Sequence, residues 1–262
     1  MPRSAVGLSS RAVKVATWNV NGLRARHAQL VEWVAAEQPD VLCLQEIKAS
    51  PEQIPDPLTT LTDYWNYWHG GPKGYSGVSL HVRRAFSPTP PTFGHPAFDH
   101  EYRIVEALVG DVRFASVYVP NGGKDYDAKV AFLRELGAWT AARQAAGEQL
   151  VVSGDLNVAL TDADLHPSQV KKGSIGQRAD ERALLRQAID HGLVDVLRDQ
   201  NPDATDVFTW WAPWRNMREK NVGWRIDFVL ASTALARAVS LCAVRKEVLG
   251  SDHAPLVVDI AR

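Results

Sequence analysis

Short apolar segments alternate with helical patterns along nearly the whole chain, and this alternation restricts the possible folds more than any other feature. In the first cycle, Val13 to Trp18 predicts a strand, Leu23 to Gln38 has apolar residues at helical spacing, and Asp40 to Gln45 predicts a buried strand. A strand, a helix and a second strand within about 35 residues are typical of α/β proteins. The sequence therefore predicts an α/β fold.

The later segments continue this pattern towards the C-terminus. Helical spacing predicts two further long helices, at 126–146 and 178–191. Apolar runs predict further strands at 64–69, 77–82, 104–109, 112–119, 150–153, 208–211, 225–231, 239–244 and 256–260. Four prolines between residues 87 and 96 predict an irregular segment. We expect one domain over residues 13–262, preceded by a flexible tail over residues 1–12.

The composition is that of an ordinary globular protein and excludes several other classes. Of 262 residues, 45% are hydrophobic and 23% are charged, which excludes a fibrous or wholly disordered chain. No apolar stretch reaches the roughly 20 residues of a membrane span, and the N-terminus lacks the apolar core of a secretory signal. Cys43 and Cys242 lie in apolar runs, which favours reduced, buried thiols. We therefore expect a cytoplasmic protein that does not bind membranes.

Polar side chains follow several of the predicted strands, at the point where the apolar run ends. Because ligand sites in α/β sheets form at strand ends, such residues can converge on one cleft. The residues are Asn19, Asn21, Glu46, Tyr118, Asn121, Asp155, Asn157, Asp227, Asp252 and His253. Most have a simpler interpretation as surface residues or turn formers, but a carboxylate within a half-buried strand, such as Asp227, needs a partner.

The residue types at these strand ends favour a hard cation with oxygen ligands. Several carboxylates and amides occur with one histidine and without a nearby cysteine, a set that suits Mg²⁺ better than zinc. Mg²⁺ uses one or two carboxylates and leaves its remaining positions to water and substrate phosphate. The pattern therefore favours hydrolysis of a phosphoester.

Seven short motifs occur in an order that resembles the exonuclease III family of abasic-site endonucleases, within the exonuclease–endonuclease–phosphatase superfamily. The motifs are WNVNGLRA (18–25), LQEIK (44–48), GYSGV (74–78), YVPNG (118–122), GDLNVA (154–159), GWRIDF (223–228) and SDHAP (251–255). GDLNVA and SDHAP are typical of the wider superfamily, which includes deoxyribonuclease I and phosphoinositide phosphatases. WNVNGLRA, LQEIK and GWRIDF are typical of the abasic-endonuclease branch.

The resemblance implies a four-layer α/β sandwich, with two packed mixed β-sheets flanked by helices. It implies a monomer that uses Mg²⁺, or alternatively Mn²⁺, to cleave double-stranded DNA 5′ to an abasic site and leave a 3′-hydroxyl. Relatives also remove groups from 3′ ends as phosphodiesterases, phosphatases or 3′→5′ exonucleases. The remaining alternatives are a predominantly 3′→5′ exonuclease, a lipid or inositol phosphatase, and a DNA-lesion binder without catalysis.

The resemblance also implies roles for the residues around the metal. Glu46 is the principal metal ligand, and Asn19 supports the metal site or orients Glu46. Asp155 positions or deprotonates the attacking water, and Asn157 orients that water and the phosphate, while both also serve as metal ligands. Asp252 is a further or alternate metal ligand.

Other residues are implied to contact the phosphate. His253 hydrogen-bonds a phosphate oxygen, and Asp227 holds its other ring nitrogen and thereby fixes the tautomer. Tyr118 and Asn121 contact the scissile phosphate or the leaving oxygen. Asn21 stands where many relatives have Asp and is expected to contact the substrate.

Four of the nine tryptophans lie between residues 210 and 224, and the resemblance places most of them against DNA. Trp210, Trp224 and Ile226 match the family's apolar pocket for a flipped sugar without its base. Such a pocket selects its substrate by excluding a normal base. Trp214 either inserts into the duplex or packs within its loop. Trp211 is expected to lie in the core.

Basic residues cluster in the loops near these motifs. Residues 214–225 contain Arg215, Arg218, Lys220 and Arg225 against Glu219, a local net charge of +3, although the overall net charge is −1. Arg218, Lys124 and Lys171 are expected to contact DNA phosphates. Three departures from relatives affect the expected strand contacts. Lys171 and Ser174 stand where some relatives have asparagines, Tyr102 replaces the glycine of the family's acidic-Gly-Arg motif, and Lys124 stands where some relatives have arginine.

Overall fold

The computed structural model describes residues 12–59 and 61–261, and these residues form two β-sheets of six strands each. The strands are β1 (Val13–Asn19), β2 (Val41–Gln45), β3 (Tyr64–His69), β4 (Val78–Arg83), β5 (Thr92–Gly94), β6 (Ile104–Val109), β7 (Val112–Tyr118), β8 (Gln149–Asp155), β9 (Leu193–Asp195), β10 (Asp227–Ser232), β11 (Val239–Val244) and β12 (Leu256–Ile260). The helices are α1 (Leu23–Glu37), α2 (Asp56–Thr59), α3 (Tyr126–Ala145), α4 (Ala179–Asp190), α5 (Val196–Gln200) and α6 (Thr233–Ala236). Apart from Ala12, the predicted N-terminal tail lies outside the described residues.

Both sheets contain parallel and antiparallel strand pairs. The first sheet has the order β11-β12-β1-β2-β4-β3, and the second has the order β5-β6-β7-β8-β10-β9. The pairs β1–β2 and β7–β8 are parallel, and the other pairs are antiparallel. The sheets are therefore mixed, as expected.

Successive side chains of each strand point to opposite faces of its sheet. One face packs against the other sheet, and the opposite face packs against helices. Val15 of β1 lies in the apolar cluster between the two sheets, whereas its neighbour Ala16 packs in the cluster that contains Trp33 of α1. In the second sheet, Val152 packs with Leu133 of α3 on the outer face. Because both faces of these strands are buried, their sequences are continuous apolar runs. The four-layer α/β sandwich is confirmed.

Some local predictions differ from the structure. The proline-rich segment 87–96 contains the short strand β5, which is tolerated because it lies at the edge of its sheet and falls between the prolines. The predicted strand 208–211 is only a pair of isolated bridges at Trp210. Both cysteines are free and buried, as expected. Within the described ranges, no helix has the length and apolar character needed to span a membrane.

The strand directions bring the predicted site residues to one edge of the two sheets. The parallel strands β7 and β8 end together, so Tyr118 lies beside Asp155. The antiparallel strand β10 begins at the same edge, which pairs Asp227 with Asp155. In the first sheet, Asn19 and Gln45 end neighbouring parallel strands, and Glu46 follows directly.

Candidate active site

Glu46, Asp155 and His253 form an acidic and imidazole cluster at this edge, with one potential ligand atom of each lying within 4.8 Å of the others. The amide nitrogen of Asn19 donates hydrogen bonds to Oε1 of Glu46 and to Oδ2 of Asp155, both at 2.9 Å. The Asn19 oxygen accepts the backbone N–H of Asn21. In this arrangement, the side chain of Asn19 orients the two carboxylates and connects the two sheets.

Left-handed backbone conformations turn the chain sharply just beyond the strand ends. Asn21, Glu46 and Asn157 have φ angles of 45°, 50° and 51°, which are uncommon for residues with a side chain. Before Asp155, Gly154 has a φ of 147°, and a Cβ atom there would lie 1.9 Å from the carbonyl oxygen of Val117. The approach of β7 to β8 therefore requires glycine at position 154.

His253 is buried between two carboxylates. Its Nδ1 atom lies 2.8 Å from Oδ2 of Asp227, and its Nε2 atom lies 3.9 Å from Oδ2 of Asp155. Burial alone would lower the pKa of His253, but the negative charges of Asp227, Asp155 and Asp252 raise it to about 10. The ring is therefore positively charged at neutral pH and can donate a hydrogen bond to an anion.

Burial and neighbouring charges also change the acid–base properties of the other groups. Burial, together with Asp227 and Glu46, raises the pKa of Asp155 above its usual range, although His253 acts in the opposite direction. Burial and the charges of Glu46 and Asp155 raise the pKa of Tyr118. The Tyr118 hydroxyl therefore keeps its proton at neutral pH and remains a hydrogen-bond donor.

Glu46 remains negatively charged despite its burial. Burial raises its pKa, but hydrogen bonds from Asn19 and Lys48 and the charge of Lys48 give a net lowering. The ammonium nitrogen of Lys48 lies 2.7 Å from Oε2 of Glu46. Glu46 is thus already paired with the ammonium group of Lys48, and its carboxylate oxygens are also suitable ligands for a divalent cation.

The remaining polar residues form a connected network around these groups. The Oδ1 atom of Asp155 accepts a hydrogen bond from the backbone N–H of Asn157, and this bond forms an Asx turn. The side-chain amide nitrogen of Asn157 donates to the backbone carbonyl of Val119 and lies 3.3 Å from Oδ2 of Asp155. Asn121 donates to Asn157 Oδ1 at 3.3 Å. The network fixes the amides that face the cluster.

Besides the adjacent Ser251 hydroxyl, two donors from distant parts of the chain bind the Asp252 carboxylate on the other side of the cleft. Its Oδ1 atom accepts from Asn21, and its Oδ2 atom accepts from the indole N–H of Trp210 at 2.9 Å. Burial raises the pKa of Asp252, but His253 and these two donors give a net lowering. The two carboxylates of the cluster, with a third carboxylate nearby, fit a divalent cation held by oxygen, and the charged ring of His253 is left to bind an anion.

A cavity of about 400 Å³ opens onto the cluster and contains most of the predicted residues. It is lined by Asn21, Glu46, Lys48, Tyr118, Asn121, Asp155, Asn157, Ile175, Gly176, Trp210, Trp224, Ile226, Asp252 and His253. The rings of Trp210 and Trp224 meet edge to face, with centroids 5.8 Å apart. The cavity therefore combines an anionic, metal-compatible floor with an apolar wall. Asn19 and Asp227 are buried behind this surface.

Four predicted DNA contacts lie outside this cavity. Lys124 lines a neighbouring cavity of about 370 Å³ that shares Glu46, Lys48, Tyr118 and Asn121 with the first. Trp214 is 58% exposed, and Lys171 is exposed in its loop. Arg218 donates to the carbonyl oxygens of Lys246, Val248 and Ser251. The guanidinium of Arg218 therefore binds the backbone of the segment between β11 and β12.

The predicted basic stretch at 214–225 presents less charge than its composition suggests. Arg225 is buried and pairs with Asp164 at 2.7 Å and with Asp195 at 2.8 Å. It fixes the start of β10 and contributes no surface charge. Trp211 is buried as expected, with Arg218 packed over its ring.

Three supporting residues were not singled out in the sequence. Thr209 Oγ1 accepts the N–H groups of Ile226 and Asp227, and Ser251 Oγ donates to the Asn19 carbonyl at 2.8 Å. Lys129 is fully buried, lies 2.6 Å from Glu181 and donates to the Asn157 carbonyl at 2.7 Å. Only Lys129 has a sequence signal, since a lysine occupies the buried apolar stripe of α3.

Comparison with known sequences places this site within a family. A sequence profile described as the Endonuclease/Exonuclease/phosphatase family matches residues 16–253, which include every residue of the cluster. The chain belongs to this family. The DNA repair nuclease APEX1 of Danio rerio is 32% identical over 95% of this chain and 82% of its own length. Exodeoxyribonuclease III of Haemophilus influenzae is 30% identical over 93% of this chain and 98% of its own length.

Solved structures of this family have the same fold. The 3′ phosphatase NExo from Neisseria, bound to a product DNA hairpin, superposes with a TM-score of 0.86 at 31% identity, over 96% of this chain and all of that chain. An AP endonuclease from Archaeoglobus fulgidus superposes with a TM-score of 0.83 at 28% identity, over 95% and 99% of the two chains. The resemblance inferred from the seven motifs is confirmed.

Proposed function

We propose that this protein is a Mg²⁺-dependent DNA repair nuclease that hydrolyses the phosphodiester 5′ to an abasic site and leaves a 3′-hydroxyl. The observation that carries this proposal is the position of the Glu46, Asp155 and His253 cluster at the foot of an apolar cavity wall formed by Trp210, Trp224 and Ile226. The similarity to a DNA repair nuclease and to an AP endonuclease supports the same substrate class.

Asp155 is the group that positions the attacking water and accepts its proton. It is buried, one of its oxygens is held by the N–H of Asn157, and the other faces the cluster. A negatively charged carboxylate beside the site of attack is what a general base requires. Asn157, which lies beside Asp155 in the same cavity, orients the water and the phosphate.

His253 and Tyr118 stabilise negative charge on the phosphate. The charged imidazole of His253 and the neutral hydroxyl of Tyr118 both line the cavity, where their donors are already oriented before substrate binds. Glu46 and Asp155 would hold the Mg²⁺ ion, which would supply additional positive charge at the phosphate when bound. Asn121, in the same wall, hydrogen-bonds the phosphate or the leaving oxygen.

The apolar wall is suited to a deoxyribose that has lost its base. Trp210, Trp224 and Ile226 offer no hydrogen-bond partner for the edge of a base except the indole N–H groups, and the Trp210 N–H is already bound to Asp252. Extrusion of a nucleotide costs least where base pairing is already lost. We propose that this wall selects abasic sugars from double-stranded DNA, with the protein acting as a monomer.

A second candidate activity is removal of groups or nucleotides from 3′ ends. The observation in its favour is the 31% identity to a Neisseria protein named as a 3′ phosphatase and bound to a product DNA hairpin. The same cluster can hydrolyse a terminal phosphoester, because water attack, charge stabilisation and metal binding do not require an internal site.

Two labelled duplexes distinguish these activities. One carries a single internal abasic analogue, and the other has the same sequence without damage and a recessed 3′ end. We expect incision of the abasic duplex at a single position, faster than degradation of the intact duplex. Degradation of the intact duplex alone would contradict the proposed main activity.

A further inference from the structure

Two histidines and a buried carboxylate meet at a second position, away from the proposed active site. They are His69 at the end of β3 and His95 and Asp99 in the segment between β5 and β6. One potential ligand atom of each lies within 4.8 Å of the others. None of the three lines the cavity that contains Glu46, so this cluster is separate from the proposed catalytic cluster.

The structure holds Asp99 and His69 in fixed positions. The Asp99 side chain has no exposed surface, and its Oδ1 atom accepts the backbone N–H of Arg103 at 2.7 Å. Its Oδ2 atom lies 2.5 Å from Nε2 of His69, whose side chain is only 11% exposed. A carboxylate with one oxygen held by the backbone and the other beside an imidazole brings two potential ligand atoms together, and these two atoms must move apart slightly when both bind one ion.

His95 provides the third donor from the solvent side. Its ring stacks on His69, with centroids 4.5 Å apart and planes at 18°, and the residue is exposed. Nearly parallel rings cannot both direct a nitrogen to one ion, so His95 must turn its ring to bind. An exposed side chain can make this turn without displacing the core. Tyr102, with its ring centroid 5.1 Å from that of His69, also packs against the cluster.

We propose that His69, His95 and Asp99 bind a divalent transition-metal ion of the Zn²⁺, Co²⁺ or Ni²⁺ class. Imidazole nitrogen suits these ions, whereas Mg²⁺ prefers the oxygen ligands of the Glu46 cluster. Two imidazoles and one carboxylate leave at least one position for water. Binding replaces the hydrogen bond between His69 and Asp99. His69 then coordinates through Nε2 as a neutral imidazole with its proton on Nδ1, so a doubly protonated ring releases its Nε2 proton to solvent and a neutral ring exchanges it for a proton on Nδ1.

The proposed ion would tie the segment between β5 and β6 to the end of β3. An ion that binds only the folded protein stabilises it, so the unfolding temperature rises with metal concentration. The competing interpretation is that Asp99 and His69 form only a hydrogen-bonded pair, on which His95 stacks without a ligand role. Removal of His95 distinguishes the two, because it leaves the buried pair intact.

The test is calorimetric titration of Zn²⁺ into the full chain in the presence of millimolar Mg²⁺. The proteins are the wild type, His95→Ala, the matched control His191→Ala at the exposed end of α4, and Glu46→Ala. Removing a group that only orients a metal ligand costs about 10–100-fold in affinity, so we expect His95→Ala to weaken Zn²⁺ binding at least about tenfold. His191→Ala and Glu46→Ala should retain the wild-type affinity at this site.

Unchanged Zn²⁺ affinity in His95→Ala would overturn the proposal, as would loss of all Zn²⁺ binding in Glu46→Ala. His95 is exposed, so its substitution leaves the core intact. The measurement requires no nuclease activity, so its outcome is independent of the proposed function.

Discussion

The Nδ1 atom of His253 lies 2.8 Å from Oδ2 of Asp227, and both side chains are buried. Asp227 is the first residue of β10, and His253 precedes β12, so this contact joins the two sheets behind the cleft. The carboxylate fixes the ring orientation and contributes to the raised pKa of His253. The other nitrogen of the ring is thereby left to face Asp155 and the cavity.

Asp227→Asn should lower kcat on an abasic duplex by about 10²–10⁴-fold, the order found when the carboxylate that orients a catalytic histidine is removed. The amide no longer stabilises the positive charge of His253, whereas the cavity surface is unchanged because Asp227 lies behind it. Steady-state kinetics should therefore show a smaller change in KM than in kcat. Asp203→Asn, at an exposed loop position, is the matched control. Wild-type kcat in Asp227→Asn would disprove the role of this contact.

Lys129→Met should lower the free energy of unfolding by about 3–5 kcal/mol, because it leaves the charge of Glu181 buried without its partner. The double variant Lys129→Met/Glu181→Leu should recover part of this loss, since it buries no unpaired charge but still lacks the hydrogen bonds to the Asn157 carbonyl and from the Arg178 N–H. Urea denaturation of the two single variants and the double variant measures the coupling. If the losses of the single variants simply add in the double variant, the pair is not coupled.

His81 should make the protein less stable in mild acid. Burial lowers its pKa to about 3, and its two ring nitrogens are already occupied by Ser79 and Asn66. The unfolded chain binds the proton with a pKa of about 6.5, so the unfolded state gains protons first and stability falls as pH falls from about 6.5 to about 3. His81→Asn removes this titration.

Urea denaturation at pH 7 and pH 5 measures this effect. Between these values, the wild type should lose about 2 kcal/mol more of its free energy of unfolding than His81→Asn, as expected for one proton. An equal loss in both proteins would show that His81 is not the group responsible.

Trp214→Ala should raise KM for an abasic duplex at least about fivefold and change kcat less, because stacking of a base on an aromatic ring contributes about 1–3 kcal/mol. The side chain is 58% exposed, so its removal should leave the unfolding temperature unchanged. Leu241→Ala, which removes a partly exposed apolar side chain from β11, is the control. An unchanged KM would favour the alternative that Trp214 does not contact DNA.

Strand ends were the most informative feature of the sequence. Glu46, Asp155 and Asn157 could be singled out because each follows an apolar run, and parallel strands end at the same edge. The order of the motifs then supplied the layer arrangement that spacing alone did not give. The predicted contact between Asp227 and His253 is present in the structure.

Salt bridges and hydrogen bonds between residues distant in sequence could not be predicted from local patterns. Arg225 was included in the predicted basic surface, but it is buried and forms salt bridges with both Asp164 and Asp195. Arg218 likewise holds loop carbonyls, a role that no local pattern distinguishes from phosphate binding. The stack of His95 on His69 depends on an irregular segment, and periodicity does not predict where such a segment packs.

The most direct test of the proposed mechanism is incision of a labelled duplex with one internal abasic site, measured with Mg²⁺ and with EDTA. Wild-type protein and Glu46→Gln are compared, with Glu52→Gln, an exposed position, as control. We predict cleavage 5′ to the abasic site that requires Mg²⁺, is abolished by EDTA and is slower in Glu46→Gln by at least about 10²-fold. Cleavage at the wild-type rate in EDTA or in Glu46→Gln would contradict a metal-centred mechanism at this cluster.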